Sequence, residues 1–267
     1  MKRHLSAAVF VPLFLAVVLL CPAWVLALLV ALGVAQAALE MARLAERCGL
    51  QVQRPLAVAA GMAACFLFLR PEETAEWLLM LVLVACALAV LGGLRMGQRP
   101  HRALASSAGT VFTVLYPGVL MSFLVGLRVA EGELGRQLLL FLIAVIWMSD
   151  AGAYYIGKLL GRHKLSPRLS PNKTVEGALG GLLFATLTAV AWRHFFLPEL
   201  SVWAPALAAG LALVGILGDL AESAMKRGAG VKDTAAVVPG HGGVLDRMDS
   251  LLLAAPLFYH VYPWVLA

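Results

Sequence analysis

Runs of apolar residues, each nearly free of charge, recur along the chain and are separated by short polar intervals. Nine such runs stand out: roughly 5–20, 23–39, 55–69, 76–94, 105–127, 137–157, 176–196, 202–218 and 250–266. About 20 apolar residues cross a bilayer as a helix, so the pattern predicts nine transmembrane helices, the third of them short and partly interfacial. A Cys21-Pro22 break joins the first two runs. Reading residues 5–39 as one bent helix is the alternative, and it would reverse the sidedness of every later loop.

Charge decides between the two. With the N-terminus inside and nine alternating helices, the cytoplasmic intervals 1–4, 40–54, 95–104, 158–175 and 219–249 hold seventeen of the 21 Lys and Arg. The opposite side holds Arg70, Arg128, Arg136 and Arg193. That asymmetry fits the positive-inside rule, with the C-terminus on the far side. Composition agrees: 61% of residues are hydrophobic and 13% charged, against about 25% charged in soluble domains. The expectation is an all-α polytopic membrane protein. Its net charge of +6 reports orientation rather than nucleic-acid binding. The four cysteines show no metal-finger or C-x-x-C spacing and read as small packing residues. Residues 1–104 are Ala/Leu/Val-rich and chemically bland; they read as a structural, dimer-forming region. Residues 105–267 carry the chemistry, on loops 158–175 and 219–249.

The polar stretch from Asp219 to Asp249 holds five acids, four bases, a histidine and five glycines between two apolar runs. If the eighth helix continues to about Arg227, then Asp219, Ser223 and Lys226 share one stripe, and Glu222 pairs with Lys226. Gly228 and Gly230 then end the helix. Lys232 and Asp233 follow on a loop, and the turn Pro239-Gly240-His241-Gly242-Gly243 offers backbone N–H groups to phosphate oxygens. Asp246 and Asp249 lie three apart at the start of the last helix, with Arg247 between them. Clustered carboxylates call for a cation, and Mg²⁺ suits oxygen ligands completed by substrate phosphate. Metal-dependent phosphoryl or nucleotidyl transfer is the chemistry this predicts; a purely structural ion-pair network is the alternative.

Two upstream features add to it. Asp150 interrupts an apolar helix, where an ionisable group is a functional candidate unless it only pairs with a neighbouring helix. The loop 158–175 carries two Ser-Pro breaks and then Ser170, Asn172 and Lys173 at a helix entrance, with Thr174 as the cap and Glu176 in the first turn.

The run S-A-M-K-R-G-A-G-V-K-D-T-A-A-V-V-P-G-H-G-G-V-L-D-R-M-D resembles the signature of the phosphatidate cytidylyltransferase (CDP-diacylglycerol synthase) family. D-A-G-A-Y-Y-I-G-K and S-P-N-K-T-V-E-G are similar to further family motifs; together they cover about residues 149–250. Val238 and Thr234 are small departures, neither of which alters a charged group. The resemblance implies conversion of CTP and phosphatidic acid to CDP-diacylglycerol and pyrophosphate, with Mg²⁺ and a second cation such as K⁺. It implies a metal centre of Asp219, Asp246 and Asp249. Lys226, Arg227 and Lys232 would neutralise the phosphates, His241, Gly242 and Gly243 cradle them, and Lys173 with Ser170 and Asn172 would hold the lipid or nucleotide head. It further implies a homodimer in a bacterial inner membrane with its site facing the cytoplasm. A CTP-dependent polyprenol or phytol kinase is the runner-up. A transporter is remote, because charges gather at one face rather than at the midplane.

Overall fold

The computed structural model of the chain describes residues 12–95, 100–130, 132–234 and 242–266. Within them the apolar runs fall mostly on helix, with turns at 68–69, 196, 202–203 and 265. α1 is described over residues 12–20, followed by α2 (Ala23–Arg47), α3 (Arg54–Leu67) and α4 (Thr74–Arg95). α5 (Pro100–Thr113) passes through a π-helical segment, Val114–Val119, into α6 (Leu120–Val129). Then come α7 (Glu133–Leu160), α8 (Val175–Phe195), α9 (Ala204–Gly228) and α10 (Leu245–Val261). Six of the helical stretches among the described residues are long and apolar enough to cross a membrane.

Two departures from the sequence reading bear on the site. The basic loop before α8 is a hairpin, not irregular chain: β1 (Lys164–Ser166) pairs antiparallel with β2 (Ser170–Thr174), Lys164 opposite Thr174 and Ser166 opposite Ser170. The residues before Pro167 and Pro171 are pushed to extended backbone, and a two-stranded ribbon has edges on which a proline without an N–H is tolerated. Second, α2 does not stop at residue 39. No Gly or Pro follows until Gly49 (φ +82°), so the helix runs on to Arg47 and takes Glu40 into a buried position.

The chain divides into two compact units. One comprises the chain to Gly132 together with Gly228–Met248; the other is Glu133–Arg227 with Asp249–Ala267. In the first unit α2 buries Leu26, Val30, Val34, Ala37, Ala38 and Met41, a stripe at helical spacing. Pro117 lacks the N–H an α-turn needs, and the backbone widens into the π segment there. Beside it Gly118 lies against the backbone of Gly61, an approach that a Cβ on either residue would obstruct. Polar ties join the helices: Gln53 Nε2 donates to Ala89 O (2.7 Å), and Ser107 Oγ donates to the same carbonyl (3.1 Å). α4 instead exposes Trp77, Leu79, Met80, Leu83 and Leu91, an apolar surface suited to lipid.

In the second unit α7 and α8 form an antiparallel pair seamed by small residues. Gly180 packs on Ile156, Gly152 on Phe184, and Gly177 on Gly157. The hairpin joins their ends, and Thr174 caps α8 as expected, its hydroxyl accepting the Gly177 N–H (3.1 Å). α9 runs through Asp219 to Gly228, and Gly230 (φ +71°) follows in the turn.

Candidate active site

The second unit brings together acids and bases from four elements. Lys173 leaves β2 just ahead of α8, and its ammonium pairs with Asp219 Oδ2 on α9. One turn on, Ser223 Oγ donates to Asp219 Oδ1 (3.4 Å), as the i, i+4 stripe predicts. Asp249 lies where α10 packs on α9, its carbonyl against Gly218. Asp150 of α7, Asp219 and Asp249 are within electrostatic reach of one another, Asp150 also of Lys173 and Asp249 also of Lys226. Lys226 also pairs with Glu222 Oε1 (3.1 Å), whose side chain is fully buried. Such a buried carboxylate needs its partner, so this i, i+4 pair secures the lysine's direction.

The hairpin is anchored at the same place. Arg227 Nε donates to Leu169 O (3.3 Å), tying the end of α9 to the hairpin turn. Glu176 accepts from the Arg162 N–H (3.0 Å) and meets His163 Nδ1 at 2.6 Å, so it secures the turn into β1. Ser170 is half-buried and Asn172 exposed on β2, either side of Pro171.

The remaining candidates belong to the first unit. Lys232 and Asp233 are exposed on the segment after Gly230, and Arg247 is exposed on the first turn of α10. Gly242 (φ +70°) takes the left-handed backbone that favours glycine. The Gly243 N–H, read above as part of a phosphate cradle, donates to Asp246 Oδ2 (2.8 Å). The same oxygen accepts the Thr234 N–H (2.9 Å) and lies 2.7 Å from Thr234 Oγ1. His241 lies outside the described residues.

Glu40 is the residue that the sequence reading passed over. Composition places it in a bland interval, yet it is fully buried and contacts Thr234, Val244 and Leu245. The available signal was an acid four residues after Gln36 in a helix with no stop before Gly49; Gln36 Nε2 does donate to it (2.8 Å).

The donor set suits a hard divalent cation in part. Asp219 and Asp249 supply carboxylate oxygens beside a lysine ammonium that already balances charge there, and Mg²⁺ usually takes one or two carboxylates plus phosphate and water. Among the described residues no group of three or more His, Cys, Asp and Glu has the spacing of a metal site. Asp246, the third expected ligand, is engaged by Thr234 and Gly243.

A model of the cytidylyltransferase family matches residues 1–265. The chain is 34% identical over 198 residues to a phosphatidate cytidylyltransferase of Staphylococcus epidermidis, covering 73% of this chain and 74% of the relative. It is 40% identical over 152 residues to one from Staphylococcus aureus, 57% of each chain. Against one from Staphylococcus haemolyticus the identity is 44% over 124 residues, 46% of this chain and 48% of the relative.

Proposed function

The chain belongs to the cytidylyltransferase family and is a nucleotidyltransferase, and from that premise we propose that it joins CTP to phosphatidic acid, yielding CDP-diacylglycerol and pyrophosphate. The observation that carries the reading is the set Lys173, Asp219, Asp249 and Lys226, gathered within one unit of an otherwise apolar helical chain. In the reaction a phosphate oxygen of the lipid attacks the α-phosphorus of CTP. A new P–O bond forms, the bond from that phosphorus to the β-phosphate bridging oxygen breaks, and pyrophosphate leaves. A phosphomonoester has its second pKa near ~6, so the attacking oxygen is already largely ionised and needs no strong base.

The protein's work is therefore positioning and charge balance. Lys226, with its direction set by Glu222, neutralises phosphate charge, and Lys173 exchanges its carboxylate partner for a phosphate oxygen. Arg227 and the hairpin it holds place Ser170 and Asn172 beside the bound head groups. Asp219 and Asp249 would hold Mg²⁺, which when bound offsets the charge of the triphosphate. Asp246 serves this reading by shaping the loop before α10. The membrane in question is the bacterial inner membrane, with these groups at its cytoplasmic face.

Purified protein incubated with labelled CTP and phosphatidic acid is expected to give a labelled CDP-lipid and pyrophosphate. Label transferred to polyprenol or phytol as a monophosphate, with none on phosphatidic acid, would replace this reading with a lipid kinase.

A further inference from the structure

A helix start leaves its first backbone N–H groups without partners inside the helix, and a Ser, Thr, Asp or Asn just ahead of it normally supplies the cap. Ahead of α10 stands Val244, which has no acceptor in its side chain. The acceptors come from Glu40, on a helix some 200 positions earlier. Its Oε1 takes the Val244 N–H (3.1 Å), and its Oε2 takes the Leu245 N–H (2.9 Å). Oε2 also lies 3.0 Å from Thr234 Oγ1, the hydroxyl that stands 2.7 Å from Asp246 Oδ2. The hydroxyl lies between the two carboxylates and has one proton, which it can donate to only one of them at a time. Gly243 completes the arrangement, since a Cβ there would run into the Glu40 carboxylate and the Thr234 hydroxyl.

We propose that Glu40 is a positioning residue for the transfer reaction. It sets where α10 begins, and so how the helix that carries Asp246 and Asp249 presents them. The inference rests on the function proposed above and extends the working part of the chain into α2, far from the signature run. An anchor that served stability alone would make the same bonds, and catalysis tells the two apart.

The decisive substitution is Glu40→Gln. Whichever way the amide is turned, its NH₂ faces a backbone N–H that needs an acceptor. In the full-length protein in detergent, with CTP and phosphatidic acid, kcat is expected to fall roughly 10–100-fold, the usual effect of removing a group that orients catalytic residues. KM for CTP should change little, the thermal midpoint should fall as a buried donor is left unsatisfied, and amide exchange over 242–250 should quicken. Thr234→Val should lose activity in the same way, while Thr234→Ser, which keeps the hydroxyl, should retain it. A Glu40→Gln protein with undiminished kcat, or a Thr234→Val protein as active as Thr234→Ser, overturns the proposal. If Glu40→Gln does not fold, the Thr234 pair decides alone. Wild-type protein that makes no CDP-lipid would remove the proposed function instead, and exchange over 242–250 that is the same with and without the Glu40 carboxylate would then refute the anchor as well.

Discussion

Asp219, Asp246 and Asp249 look equivalent in a list of acids, yet they do different things. Asp219 faces an ammonium and a hydroxyl, Asp249 lies within reach of Asp219 and Lys226, and Asp246 is engaged by two backbone N–H groups and a threonine. Asp219→Asn and Asp249→Asn are therefore expected to abolish CDP-lipid formation while the detergent-solubilised protein keeps its helical signal. Wild-type-like turnover in either variant removes that residue from the cation site. Gly243→Ala should act through space rather than charge. The added methyl meets the hydrogen-bonded atoms of Glu40 and Thr234, so activity should drop about tenfold or more, as when an orienting partner is lost. The assay at saturating CTP checks it.

Helices and the hairpin set the next level. α8 begins where Thr174 caps it, and the same short segment delivers Lys173 to Asp219, so cap and ligand group are coupled by one peptide bond. Thr174→Ala should cost about 0.5–2 kcal/mol, read as a lower thermal midpoint in detergent. Lys173 should then be held less firmly and KM for substrate should rise. α9 and α10 meet at Gly218, whose missing side chain admits the Asp249 carbonyl. Gly218→Val should push the two helices apart and reduce turnover more than Gly210→Val, since among the described residues nothing lies within 4 Å of where a Cβ at Gly210 would sit. Equal effects at the two glycines would refute the importance of that crossing.

For the whole molecule, hydrocarbon outside and water at the ends dictate the arrangement. A helix satisfies its own backbone in lipid, which is why the long apolar runs are helical. The excess of Lys and Arg in one set of intervals is the ground on which we propose that those intervals face the cytoplasm. Cys48, exposed just beyond α2, tests that orientation, because a membrane-impermeant thiol reagent should label it in inverted vesicles and leave it unlabelled in intact cells. The reverse result would invert the orientation read from charge.

The apolar helical character of the chain, the cap at Thr174, the Glu222–Lys226 pair, the Asp219–Ser223 stripe and the end of α9 at Gly228 were legible in the sequence. Each depends on neighbours within a turn or two, and periodicity and glycine report such neighbours directly. The hairpin at 164–174 and the burial of Glu40 were not legible. A two-stranded ribbon is too short to show alternation, and an acid near a helix end reads the same whether water or a distant loop receives it. Glu40 and Thr234 are 194 residues apart, and no spacing rule spans that separation. Only the folded chain could bring that carboxylate to the uncapped start of α10, because the need it meets, backbone donors shut away from water, exists only after the helices have packed.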